Sequence, residues 1–185
     1  MMGNFEFIKL DIEGLYLVSP IIHKTDYGFF FENYNQKEFF EACLKLKFVQ
    51  DNESRSKKNV LRGLHVQKHY PQGKYVRVAH GEIFDVAVDM RKNSKTYLQW
   101  HGEILSDENR NALYIPEGFA HGFFVLSEYA DVIFKVSDVW HPNDEIGIPW
   151  NDKSIGIKWP NSDESQLIIA EKDSHYTPVL DNTEL

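Results

Sequence analysis

An antiparallel all-β fold, a jelly roll or barrel with a few short helices, is predicted for this chain by three observations. From Val60 to Val136, short segments with period-two patterning follow one another. Turn-forming clusters separate them at Pro71-Gln72-Gly73, His80-Gly81, Lys92-Asn93-Ser94, Ser106-Asp107-Glu108-Asn109 and Pro116-Glu117-Gly118. No long amphipathic helical pattern recurs between the strands, which argues against a doubly wound parallel sheet.

In chain order, Leu15 to Ile22 and Tyr27 to Tyr34 read as early strands, and Gln36 to Leu46 reads as the one clear helix. Within EIFDVAVDM, Phe84, Val86, Val88 and Met90 point one way and Asp85, Ala87 and Asp89 the other, as a strand with one packed face requires. Within ADVIFKV, Val132, Phe134 and Val136 alternate with Asp131, Ile133 and Lys135; both faces are partly apolar, so this strand is expected to line an interior. WNDKSIGIKWP reads as loop. The polar tail from Asn161 contains Pro178 and is expected to hold loop or short helix to about Asp173 and to fray beyond. With 185 residues and no internal repeat or linker, residues 1–185 are expected to form one domain, about 174–185 being a polar tail.

A formal net charge of -8 argues against a nucleic-acid or anionic-membrane surface, either of which needs clustered cations. Any phosphate must be met by a few local Lys or Arg side chains. The single cysteine, Cys43, has no intramolecular partner and reads as a small buried hydrophobe within the helix. Glu6, Asp11 and Glu13 interrupt the start of the chain where a signal peptide would be apolar, and no apolar run is long enough to span a bilayer. A cytoplasmic location is expected.

Arg62, His65, Lys74, His121 and Lys135 fall where a barrel interior could gather them. Arg62 and His65 are three apart and point to opposite faces of a regular strand, unless Gly63 permits a bulge that turns them together. A lone histidine is more often structural than functional, but this context is polar and glycine-rich. A metal site of the His-x-His type is disfavoured because Gln67 stands two after His65, while His69 lies in a loop and His80 and His101 read as exposed near turns. Nucleophilic catalysis lacks a Gly-x-Ser-x-Gly elbow, and Cys43 is remote from the histidine strands. General acid–base chemistry remains, with a histidine to move protons and a lysine to stabilise an oxyanion.

Taken together, FVQDNESRSKKNVLRGLHVQ, QGKYVRVAHGEIFDVAVDMRKNSKTYLQWHGEILS, YIPEGFAHGFFVLSEYADVIFK and WNDKSIGIKWP resemble the dTDP-4-dehydrorhamnose 3,5-epimerase family, in order, from about Leu15 to Asp173. The resemblance implies a cupin homodimer that needs no metal and no cofactor and epimerises a nucleoside-diphosphate-linked 4-keto-6-deoxy sugar. The carbon 4 ketone acidifies the C–H bonds at carbons 3 and 5, because either carbanion delocalises onto the same oxygen. By resemblance His65 is the base, Asp173 its supporting carboxylate and Lys74 the cation near the enolate oxygen. Glu32, Gln50, Asp51, Asn52, Arg62, His121, Glu145 and Lys172 carry over as substrate-binding residues.

Three departures stand out. Phe134 occupies the position of the family's acid tyrosine, Tyr27 replaces an arginine in Asp26-Tyr27-Gly28, and Trp140 takes the place of the aromatic that stacks on the nucleobase. An epimerase inverting only one carbon, or using a GDP-linked sugar, is therefore an alternative, as is a cupin that binds a sugar nucleotide without catalysis. Retention of His65, Lys74 and Asp173 together weighs against the last.

Overall fold

The structure is a computed structural model that describes residues 3–45, 47–160 and 164–181. Its strands in chain order are β1 (Phe5–Lys9), β2 (Tyr16–Pro20), β3 (His23–Thr25), β4 (Gly28–Phe30), β5 (Gln50–Lys57), β6 (Val60–Gln67) and β7 (Lys74–His80). They continue as β8 (Glu82–Asp89), β9 (Trp100–Ser106), β10 (Ala112–Ile115), β11 (Phe119–Val125), β12 (Tyr129–Val136), β13 (Glu145–Gly147) and β14 (Ile168–Ile169). One sheet runs β1-β2-β10-β7-β12-β5 and the other β13-β6-β11-β8-β9, antiparallel throughout, with β14 added parallel to β6. The jelly-roll expectation holds. Each of the five turn clusters falls between strands or at a strand end.

Three apolar layers explain the stacking. Between the sheets, Val76, Val78, Leu113 and Val132 of the first meet Ile83, Leu105, Phe119 and Phe123 of the second. The outer face of the second sheet carries Leu64, Val86 and Val88, and the C-terminal segment covers it with Ile148, Ile155 and Val179. The outer face of the first sheet is covered by the helix α1 (Gln36–Glu41), whose Phe39 sits among Phe5, Tyr75 and Tyr114.

Several expectations need correction. β8 is packed on both faces: Ile83 and Ala87 belong to the central layer, while Val86 and Val88 belong to the outer one. The acidic side chains on its inner face survive burial because they are bonded. Asp89 is fully buried and accepts from Arg91, Ser94 and Thr96; burial would raise its pKa, but these donors hold it at about 2. Two further strands are present: β1, whose Phe5 and Phe7 alternate with Glu6, and β5, which has no apolar residue to announce it.

The helix is much shorter than expected. Asn35 caps its start by accepting from Lys37 and Glu38, and it stops at Glu41. Leu44 N–H then bonds Phe39 C=O and Cys43 N–H bonds Phe40 C=O, while Cys43 takes a left-handed φ of 65°. This termination is driven by packing buried Leu44 against Phe39, and no glycine marks it in the sequence. Cys43 is consequently exposed and not a buried hydrophobe, and the expected helix end at Leu46 lies outside the described residues.

The tail is docked beyond Asp173. Tyr176 and Val179 both hydrogen-bond to buried aspartates, Asp173 and Asp152. His101 lies within β9, half-buried beside Glu103, and not at an exposed turn; His80 is exposed as expected. Among the described residues, no helix is long and apolar enough to cross a membrane.

Candidate active site

A cavity of about 270 Å³ opens between the two sheets at the β5 and β6 end. Even-numbered residues of β5 turn inward by the strand's period of two, which sets Gln50, Asn52 and Ser54 into one wall. Lys74 of β7 with Phe134 and Val136 of β12 completes that wall. Arg62 and His65 of β6, with His121 and Phe123 of β11, form the opposite wall. Trp140, Glu145 and Lys172 border the mouth.

Arg62 and His65 share the cavity because β6 carries an extra residue between them: His65 pairs with His121, and Arg62 already pairs with Phe123. Gly63 supplies the bulge with φ +99°, and a Cβ there would lie 2.6 Å from the His121 carbonyl oxygen. The bulge that the sequence allowed is therefore present.

His65 Nε2 lies 2.8 Å from Asp173 Oδ1, while Gly63 N–H donates to Asp173 Oδ2 at 3.1 Å. Burial alone would raise the Asp173 pKa, but His65, Gly63 and Tyr176 hold it at about 2. An ionised carboxylate only accepts, so Nε2 carries the proton and a neutral ring keeps its lone pair at Nδ1. Asp173 thus stands behind His65, outside the cavity proper.

Lys74 is buried, and burial lowers its pKa to about 8 against the pull of Glu145 and Asp85. His121 Nε2 lies 2.8 Å from Asp85 Oδ1. Asp85 is fully buried, and its other oxygen has no partner among the described residues. Arg62 Nε donates to Ser56 Oγ at 2.9 Å, leaving the rest of the guanidinium for an anion. At the mouth, Glu145 accepts from Lys172 at 2.9 Å and from the Trp140 indole at 3.3 Å. Among the described residues, no three His, Cys, Asp or Glu side chains are grouped to hold a metal.

His65, Lys74, Phe134, Gln50, Asn52, Arg62, His121, Trp140, Glu145 and Lys172 thus line one cavity. Three candidates do not. Asp51 and Lys135 point to the outer face of the first sheet and pair with each other at 2.6 Å, because odd-numbered positions of β5 face outward. Glu32 is half-buried outside this cavity and accepts from Asn35 at 2.8 Å. Ser54, Gln67, Gln72 and Asp85 were not anticipated at the site. The signal for Ser54 was its spacing from Gln50 and Asn52, legible only once β5 is known to be a strand.

The family model described as dTDP-4-dehydrorhamnose 3,5-epimerase matches residues 9–181. The chain is 51% identical over 181 residues to the dTDP-4-dehydrorhamnose 3,5-epimerase of Methanothermobacter thermautotrophicus, covering 98% of each. A dTDP-6-deoxy-D-glucose-3,5-epimerase structure from Legionella pneumophila, in complex with dTDP-4-keto-L-rhamnose, is 46% identical with a TM-score of 0.87, covering 91% of this chain and 89% of that one. The dTDP-4-dehydrorhamnose 3,5-epimerase from Elizabethkingia anophelis is 38% identical with a TM-score of 0.91, covering 97% and 99%.

Proposed function

Because this chain belongs to the dTDP-4-dehydrorhamnose 3,5-epimerase family, we propose that it epimerises a dTDP-linked 4-keto-6-deoxy sugar by proton transfer alone, His65 being the base. The observation that carries the mechanism is His65, backed by Asp173, in one cavity wall with Lys74 in the wall across from it. A sugar ring held between the sheets turns one face to His65. Nδ1 removes the proton from carbon 3 or carbon 5, and the electron pair moves onto the carbon 4 oxygen as an enolate. Lys74, charged below about pH 8, is placed to stabilise that oxygen. Arg62 meets the diphosphate and Trp140 stacks on the nucleobase, with Gln50, Asn52, His121, Glu145 and Lys172 as polar contacts. Incubation with dTDP-4-keto-6-deoxyglucose in deuterated water, followed by NMR, tests this. Deuterium at carbons 3 and 5 is expected, and its absence from both sinks the proposal.

Inversion also requires a proton on the face turned away from His65. Phe134 stands in that wall and has none to give, and no tyrosine lines the cavity among the described residues. The hydroxyl in the same wall is Ser54 Oγ, buried without a hydrogen-bond partner there. This favours a second reading, inversion restricted at one of the two carbons. Loss of a positioned acid removes about 10²–10⁴ from the step it serves. Phe134→Tyr is therefore expected to increase inverted product more than initial deuterium exchange. Equal inversion of both carbons by the two proteins would show that the absent phenol is no limit.

The working form is proposed to be a homodimer. The β3–β4 hairpin exposes Tyr27, Phe29 and Phe30, and Arg110 covers only one edge of this aromatic surface, over Phe29. A second copy packed on the hairpin would bury these rings and bring the Glu32 segment toward a neighbouring cavity. Light scattering at micromolar concentration should give twice the chain mass of 21.6 kDa. A strictly monomeric species contradicts the dimer.

A further inference from the structure

The C-terminal tail brings a third side chain to the base and its carboxylate. The Tyr176 hydroxyl donates to Asp173 Oδ1 at 2.8 Å, the same oxygen that accepts from His65 Nε2 at 2.8 Å. The phenol ring stands edge-on to the imidazole, with centroids 6.1 Å apart and planes at 86°. Its seat is made by Gly147, which pairs with His65 across β13 and β6; any Cβ at Gly147 would overlap the ring. Two side chains, one from β6 and one from the tail, thus meet on one carboxylate oxygen. Burial and the neighbouring Asp173 both push the Tyr176 pKa up, so the phenol remains a donor across the working pH range.

We propose that Tyr176 is a positioning residue for the base: it holds Asp173 Oδ1 in line with His65 Nε2, keeps the proton on that nitrogen and so presents Nδ1 to the substrate. The proposal rests on the reading of His65 as the base. Its second consequence is electrostatic. An oxygen that shares its charge between two donors stabilises the imidazolium less than one serving a single donor, so the hydroxyl also tempers the basicity of the pair. Other ionisable groups of this cavity are Arg62 on β6, Lys74 on β7, His121 on β11, Glu145 on β13 and Lys172 in the tail; Asp173 accepts from His65, Gly63 and Tyr176.

Tyr176→Phe keeps the ring in its seat and removes only the hydroxyl. Its expected kinetic signature is a fall in kcat of about tenfold with KM unchanged, since alignment is lost while nucleotide contacts stay. The acidic limb of the kcat/KM profile should also move to higher pH, by on the order of half a pH unit. In an Asp173→Asn background the same change should have no further effect, because the hydroxyl acts through that carboxylate. Wild-type kcat and pH profile in Tyr176→Phe overturn the proposal. So does a lower melting temperature with unchanged kcat per folded molecule, or a full tenfold loss persisting in the Asp173→Asn background. His65→Ala, run alongside, separates the two levels: exchange surviving there removes the base assignment, whereas exchange lost there but intact in Tyr176→Phe removes only the role of Tyr176.

Discussion

Replacing His65 by alanine is expected to lower deuterium incorporation into a dTDP-linked 4-keto sugar by on the order of 10³-fold, with nucleotide affinity nearly unchanged. The size follows from what the side chain does. Its imidazole is joined through Nε2 to the buried, ionised Asp173, which fixes which nitrogen carries the proton. His121, the other imidazole of the cavity, is tied through Nε2 to Asp85, whose second oxygen is unpartnered among the described residues and adds to the field on Lys74. Neither the nucleotide stacking proposed for Trp140 nor the anion binding proposed for Arg62 requires His65, so binding of dTDP should survive. Wild-type exchange in the variant would place the base elsewhere.

Lys74→Met is expected to slow exchange by about 10²–10³-fold, the scale associated with removing one donor from a developing oxyanion. The same change should act on stability with the opposite sign. Holding the Lys74 pKa at about 8 in place of 10.5 costs its charged form roughly 3 kcal/mol in the folded protein. Because the unfolded chain binds the extra proton between those values, wild-type stability gains a rising contribution from about pH 8 to pH 10.5, and below pH 8 the cost is fully present. The methionine variant lacks this contribution. Near pH 7 it should be more stable by on the order of 1 kcal/mol, less than the full cost because Asp85 and Glu145 lose a counter-charge. Denaturant midpoints of both proteins from pH 7 to pH 10 check this. A variant that is equally active, or whose stability tracks the wild type across that range, contradicts the role given to Lys74.

Much of the β architecture was legible because turns and period-two apolar alternation are local properties. Strand β12 could be read as lining an interior from Val132, Phe134 and Val136, and it does. The option of a bulge at Gly63 could also be read, since only glycine offers that backbone freely. Polar strands were harder. In β5, Gln50, Asn52, Ser54 and Ser56 alternate with charged residues, so inside and outside positions are both hydrophilic and no apolar period separates them. The family resemblance placed Asp51 with Gln50 and Asn52, and nothing in this polar pattern separates it from them, although it faces the opposite way.

The helix end and the tail were hidden for a related reason. Cys43 adopts its left-handed turn because Leu44 must reach Phe39, and Tyr176 stays docked because Asp173 and a side-chain-free Gly147 receive it. By itself, the sequence determined the class of fold, the family resemblance and the chemical kinds present, a base, its carboxylate and a cation, because residue identity and short-range spacing carry those. Tertiary structure alone decided which of these groups meet. His65 and Asp173 are separated by 108 positions, and their 2.8 Å contact exists only because the tail packs back over the second sheet, burying Val179 and closing the carboxylate off from water.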